Sequence, residues 1–274
     1  MMRSASRRAL AELRERQQAV LGDSASVASL SALAGELYSV GELLVGQPRL
    51  RRNLADPSTD AQSRVMLVNT LLSAKIGDDA LKLVKAAVAL RWSSPWDLTD
   101  AIESSGDDAL FAAAEKEGSL ATVEDELFRV ERILNGAGEL GGLLDEASAP
   151  TDRRAALLDG LISGKVSPIT QRLLSHAIVS QRKRSITLAI DDLLERAAAR
   201  QERSVARVVS ATPLTDAQQR RLAASLSVMY SRNISIRTAL DPAVRGGLVV
   251  RVGDEVIDGS VAARLAEARA ALAS

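Results

Sequence analysis

The sequence predicts a mainly α protein: two tandem helical bundles, one a duplicate of the other, followed by a small α/β domain of order βαβββα. Three observations carry that prediction. Ala, Leu and Val dominate an apolar content of 46%, with aromatics at only 2%; Ala and Leu are the strongest helix formers. A pattern of apolar, charged and glycine residues recurs at a spacing of 90 residues, the interval between Glu36 and Glu126. Beyond residue 200 the pattern switches to short Val-rich runs punctuated by Gly, Pro and Asp. A length of 274 residues exceeds one typical domain. The boundaries that follow are 1–100 for the first bundle, 101–200 for its second copy and 201–274 for the α/β domain.

In the first bundle, Leu30, Leu33, Leu37, Val40 and Leu44 recur at three and four residues, one face of a helix. Thr59 and Gln62 have capping-box spacing ahead of a helix carrying Val65 and Val68. A further helix covers about 79–91. The second copy repeats this. Glu36-Leu37-Tyr38 returns as Glu126-Leu127-Phe128, Leu44 as Leu134, Gly46 as Gly136, Leu54 as Leu144, Arg64 as Arg154, Leu67 as Leu157, Leu71-Leu72-Ser73-Ala74-Lys75-Ile76 as Leu161-Ile162-Ser163-Gly164-Lys165-Val166 and Leu83 as Leu173. Scattered leucines match by chance in a Leu-rich chain, but aligned Glu, Gly, Arg and Lys positions do not. The pattern therefore predicts one helical unit present twice, with each matched leucine buried. Helices over about 168–181 and from Ile186 toward Ser204 complete the second copy.

The α/β domain opens with alternating residues over 204–210, as in a strand. Thr215 and Gln218 have capping-box spacing for a helix burying Leu222, Leu226 and Met229. Residues 234–237 form a second strand. Residues 248–252 and 255–257 form a hairpin across Gly253-Asp254. Asp258-Gly259-Ser260 ends the sheet, and Ser260 caps a last helix through Leu265.

Charge and composition exclude several function classes. Net charge is zero and the pI near 6.7, which argues against a binder that neutralises phosphates. Without cysteine there are no disulfides or thiolate zinc sites. No apolar run approaches the roughly 18–20 residues of a membrane span, and the Arg-rich amino terminus lacks the apolar stretch of a signal peptide. The expectation is a soluble protein that reaches a membrane only through partners.

Candidate chemistry is thin. Gly136, Gly138 and Gly141 spell G-x-G-x-x-G, but a dinucleotide site needs a preceding strand, and a charged helix stands there. Residues 160–166 faintly resemble a phosphate loop, one residue short and with Val166 in place of the magnesium-binding hydroxyl; a helix end closed by glycine explains them better. His176 is the only histidine and is expected partly exposed. Gln181-Arg182-Lys183-Arg184 reads as a basic helix end. Asp78-Asp79, Asp107-Asp108 and Asp191-Asp192 read as partners of helix starts. No catalytic residue, metal site or cofactor emerges.

The carboxy-terminal string is the specific signal. It runs Ser210-Ala211-Thr212-Pro213-Leu214, then Asp241-Pro242, Gly246-Gly247, Gly253-Asp254 and Asp258-Gly259-Ser260. In content and order this resembles the delta subunit of bacterial ATP synthases, the OSCP family of stator proteins. Arg245, just before the glycine pair, departs from the apolar residue many members carry. Ala109-Leu110-Phe111-Ala112-Ala113-Ala114-Glu115-Lys116-Glu117-Gly118 resembles the family's first helix, so the chain from about 105 resembles a complete member and the first hundred residues an extra copy, as in the enlarged actinobacterial form. The resemblance implies a non-catalytic peripheral-stalk protein at the cytoplasmic face of the plasma membrane, with no cofactor. Its partners would be amino-terminal helices of the alpha subunit and the b subunit. In the family the first and fifth bundle helices form the alpha-subunit groove, which carries over to Leu110, Phe111, Leu173, Leu174, Ala177 and Ile178, some of them turned into the core. The alternative is a helical-repeat adaptor unrelated to ATP synthase; only the carboxy-terminal string separates the two.

Overall fold

The computed structural model describes residues 3–20, 22, 25–146, 148–180, 185–203, 205–230, 234–241, 244, 246–252 and 255–261. The chain divides into two compact units, residues 1–191 and 192–274.

The first unit is helical. Its elements are α1 (Ser4–Val20), α2 (Val27–Gly46), α3 (Pro48–Ala55), α4 (Ala61–Leu72), α5 (Asp78–Ala89), α6 (Pro95–Glu117), α7 (Leu120–Gly136), α8 (Gly138–Asp145), α9 (Thr151–Ile162) and α10 (Pro168–Val179). A further helix, α11 (Ile186–Arg203), begins here and runs into the second unit. The pairs α3/α8, α4/α9 and α5/α10 begin and end 90 residues apart, and α2 and α7 end at Gly46 and Gly136. The expected boundary at residue 100 falls inside α6. This helix packs against α1, α2, α3 and α5, and also against α7 and α10. It is at once the last helix of the first set and the first of the second, so the two bundles share an element and form one compact body.

Local chemistry explains the boundaries. Ser26 caps α2 in a reciprocal box with Ser29. Asp60, and not Thr59 as expected, caps α4 by accepting from the Ser63 N–H at 3.1 Å; a carboxylate one residue nearer the helix wins the orphan donor. Ser94 and Ser167 cap α6 and α10, each followed by a proline at the first helical position. Gly118, at φ 72°, closes α6.

Packing centres on α6, which is buried around most of its circumference. Glycines let α2 lie close to it: a Cβ on Gly106 would sit 2.5 Å from the Tyr38 ring, and one on Gly41 2.6 Å from the Glu103 side chain. α1 is stitched to α6 by Ser6 Oγ donating to Asp97 at 2.6 Å and Gln17 Nε2 to the Ser105 carbonyl at 2.7 Å. Arg51 donates to the Leu44 carbonyl and stacks over Trp96 at 3.5 Å.

Several matched leucines are buried in both sets: Leu37 with Leu127, Leu44 with Leu134, Leu54 with Leu144 and Leu83 with Leu173. Leu67 with Leu157, and Leu71 with Leu161, depart from expectation, the second pair lying exposed. Leu157 is 37% exposed, and the inward residues of α4 and α9 are Val68 with Leu158 and Leu72 with Ile162. Periodicity marks a helix face but leaves its rotation undetermined by about one residue, or 100°. Asp107-Asp108 and Asp191-Asp192 lie within α6 and α11, not at helix starts. Asp107 accepts from Tyr38 Oη at 2.7 Å and Asp108 pairs with Arg14.

The second unit contains a four-stranded mixed sheet of order β2-β1-β3-β4, built from β1 (Val205–Ser210), β2 (Ser235–Leu240), β3 (Leu248–Val252) and β4 (Glu255–Asp258). β1 pairs parallel with β2 across the intervening helix α12 (Asp216–Tyr230), and antiparallel with β3, which pairs antiparallel with β4. The Thr215–Gln218 capping box forms as predicted. Ala206, Val208, Leu226, Ile234, Val250 and Val252 make the core, with Leu222 packed at its margin. Met229, expected inside, is 65% exposed; Leu226 and Leu222 define the inward face of α12 and Met229 falls off it. The hairpin turn at Gly253-Asp254 and the last helix beyond Val261 lie outside the described residues.

Candidate interaction surfaces

The six residues expected to form a partner groove all lie inside the first unit. Leu110, Phe111, Leu173, Leu174 and Ile178 are fully buried and Ala177 nearly so. They are core residues of α6 and α10, shaping those helices from within. The outer side of this helix pair is occupied: α2 packs against α6, and its Tyr38 ring stacks on His176 of α10 at 3.6 Å between centroids. His176 is therefore buried, not partly exposed as its place near a helix end suggests. A shallow groove beside this contact is bordered by Tyr38, Glu42, Gln171, Arg172, His176 and Val179.

Charged groups inside this unit hold helix starts. Glu126, buried on α7, accepts from the Ser167 N–H at 3.0 Å and from Thr170 Oγ1 at 2.5 Å, anchoring the first turn of α10. Glu36 stands in the matching place, its carboxylate beside Gly77 at the start of α5. The loops before α4 and α9 share a turn. Asp56 accepts from Ser58 Oγ and N–H at 2.7 and 2.9 Å, and Glu146 from Ser148 Oγ and N–H at 2.7 and 3.2 Å. In each pair the serine hydroxyl, and then its N–H, holds the carboxyl below its ordinary range.

The glycine motifs run across helix ends, with Gly141 and Gly160 inside α8 and α9. Gly136 ends α7 and Gly138 begins α8. Gly164, at φ 69°, follows α9, and Lys165 Nζ turns back to the Leu161 carbonyl. Among the described residues no group of His, Asp and Glu is arranged to hold a metal, and no helix is long and apolar enough to cross a membrane. The basic run at residues 181–184 lies outside the described residues.

The carboxy-terminal motif builds one corner of the sheet. Pro213 lies between β1 and α12, and Asp241 follows β2, its N–H donating to the Ser210 carbonyl at 3.0 Å. Gly246 and Gly247 adopt φ of 77° and 80°. A Cβ on Gly247 would lie 2.4 Å from the Gly259 carbonyl oxygen, so the glycine pair is required both by backbone angle and by closeness. Gly259 donates to the Leu248 carbonyl, and the Asp258 carboxylate accepts from the Ser260 N–H at 2.9 Å. Hydrogen bonding from Ser260 holds Asp258 below the ordinary carboxylate range. The motif thus ties the start of β3 to the end of β4. Pro242, Arg245 and Gly253 lie outside the described residues.

These features define a class: a helical unit followed in the chain by a small α/β module whose signature residues are turn builders. Residues 108–272 match the ATP synthase delta (OSCP) subunit family. The chain is 45% identical over 249 residues to the ATP synthase subunit delta of Salinispora arenicola, covering 91% of each chain. It is 43% identical over 267 residues to that of Streptomyces griseus, covering 97% of this chain and 98% of the relative. An "ATP synthase subunit b-delta" of a Mycobacterium species is 40% identical over 271 residues, covering 99% of this chain and 61% of that one. The chain belongs to the ATP synthase delta (OSCP) subunit family, in the enlarged form of its actinobacterial relatives, and the unrelated-adaptor alternative falls away.

Proposed function

We propose that this chain is the non-catalytic connector of the peripheral stalk. The helical unit grips amino-terminal helices of the alpha subunit on the F1 head. The α/β module meets the b subunit, and the whole sits at the cytoplasmic face of the plasma membrane, held there by its partners. Torque from the central stalk then meets a continuous protein link that keeps the head from turning. Broad apolar burial between helices suits that task, because it resists dissociation without demanding one rigid geometry. The observation that carries the b-subunit half is the relative in which b and delta are named as one chain and 99% of this chain is matched. We further propose that the helices of the first unit arose by duplication; the shared helix boundaries and the paired turns at Asp56–Ser58 and Glu146–Ser148 support it.

Leu110, Phe111, Leu173, Leu174, Ala177 and Ile178 are buried, so on this reading the alpha-subunit contact uses exposed residues of the same unit. Asp at Leu110 or Ile178 would disrupt folding before it disrupted binding. On α12, Val228 and Met229 are exposed apolar residues available to b. The test titrates two peptides against the full chain: an alpha-subunit amino-terminal helix and the end of b. Both should bind. Val228→Asp with Met229→Asp should weaken b by about tenfold or more, the scale of one interface hot spot, and leave alpha unchanged. Failure of either peptide to bind, or equal loss of both, would reassign the two modules.

A further inference from the structure

The contact between α2 and α10 shows how the helical unit covers one outer face, and it marks a second face left open. On α2, Gly35, Tyr38 and Glu42 form a stripe. A Cβ on Gly35 would lie 3.1 Å from Arg172 Nη2, Tyr38 stacks on His176, and Glu42 borders the same groove as Arg172 and His176. Ninety residues on, the stripe on α7 is Asp125, Phe128 and Arg132, all exposed. Tyr38 is 8% exposed and Phe128 49%. The Arg132 guanidinium lies 6.0 Å from the Phe128 ring. The α5 positions that match α10 differ. Lys82 and Ala86 of α5 occupy the places of Arg172 and His176, and Lys82 pairs with Asp79 at 2.9 Å. α5 thus presents an ion-paired lysine at this place, and α1 packs against the same helix, while α7 exposes an aromatic ring.

We propose that the α7 stripe of Asp125, Phe128 and Arg132 is a docking site for an amphipathic helix of another ATP synthase subunit. The α2–α10 contact supplies the template and charge complementarity the partner's chemistry. Where Gly35 meets a guanidinium, Asp125 calls for a basic side chain. Where Tyr38 meets a ring, Phe128 takes an apolar or aromatic one. Where Glu42 borders basic residues, Arg132 calls for a carboxylate. The proposal rests on assembly of this chain into the ATP synthase, and not on which module meets alpha or b.

The experiment uses the assembled complex. A photo-cross-linking residue replaces Phe128, with Lys82 as the control position. Position 128 should cross-link to a helical segment of another subunit, and Lys82 should not. Phe128→Asp should lower retention of the chain in the complex about tenfold, the loss of one interface anchor, with unchanged melting of the isolated protein. Arg132→Glu should also lower retention, and reversing the charge of the cross-linked partner residue should restore it. Silence at 128, or cross-links only within the chain or to a second copy of it, would overturn the proposal alone if other positions still reach alpha or b. Absence of the chain from the purified complex would overturn the assembly reading and this proposal together.

Discussion

The two helical sets of the first unit follow the same plan and differ in what covers them. α3, α4 and α5 recur as α8, α9 and α10 with identical lengths, and their inward residues correspond. Yet Tyr38 is buried and its counterpart Phe128 is half exposed. Nothing in the neighbourhood of either residue along the chain accounts for that. Tyr38 is covered because α6 and α10 lie against α2, with Gly106 making room for its ring and Asp107 accepting from its hydroxyl. A repeated helical pattern marks the inward face of a helix only to within about one residue; the neighbouring set decides whether the outward face is core or surface.

Core truncation gives the largest expected effect and tests the equivalence directly. Leu37→Ala and Leu127→Ala should each cost about 2–5 kcal/mol in urea unfolding, the range for buried leucines. A loss confined to one of them would break the correspondence. The interlock comes next. Gly106→Ala should cost about 1–3 kcal/mol by forcing α2 from α6, and Tyr38→Ala in the same chain should recover part of it. Gly136→Ala, with open space around it, should show no such loss. Similar behaviour of both glycines would remove the close approach as the reason for Gly106.

Helix anchoring sharpens the comparison further. Glu126→Gln should cost about 0.5–2 kcal/mol, the scale of a lost helix cap, because Ser167 and Thr170 both donate to that carboxylate. Glu36→Gln should cost less, since Gly77 and Ala80 stand where Ser167 and Thr170 stand in the other set. The smallest effect is read by carboxyl NMR titration. Ser58→Ala and Ser148→Ala should raise the pKa of Asp56 and Glu146 toward the ordinary range. Both carboxyls are depressed in the folded protein. Their contribution is therefore present above the unfolded pKa and is lost as pH falls through the lower, folded value. No rise in either variant would show that the serines do not hold these turns.

The glycine pair at Gly246-Gly247, the Thr215–Gln218 box and the strand over 248–252 were all legible in the chain, because each is a local requirement of backbone angle, cap or alternation. So were the helix order and its 90-residue spacing. The groove residues were not. Leu110 and Phe111 look like a partner-facing pair when α6 is read as the start of the second bundle, but the same helix also closes the first bundle, and both residues go to the interior.

What the sequence determined by itself is therefore local: helix lengths, caps, turns and the family of the carboxy-terminal module, all set by interactions within a few residues. The tertiary structure alone decided the sharing of α6, the inward choice of Val68 and Leu158 over Leu67 and Leu157, the burial of His176 against Tyr38 and the exposure of Phe128. Each of those depends on which helix lies alongside, and side-chain burial is a property of both surfaces in contact.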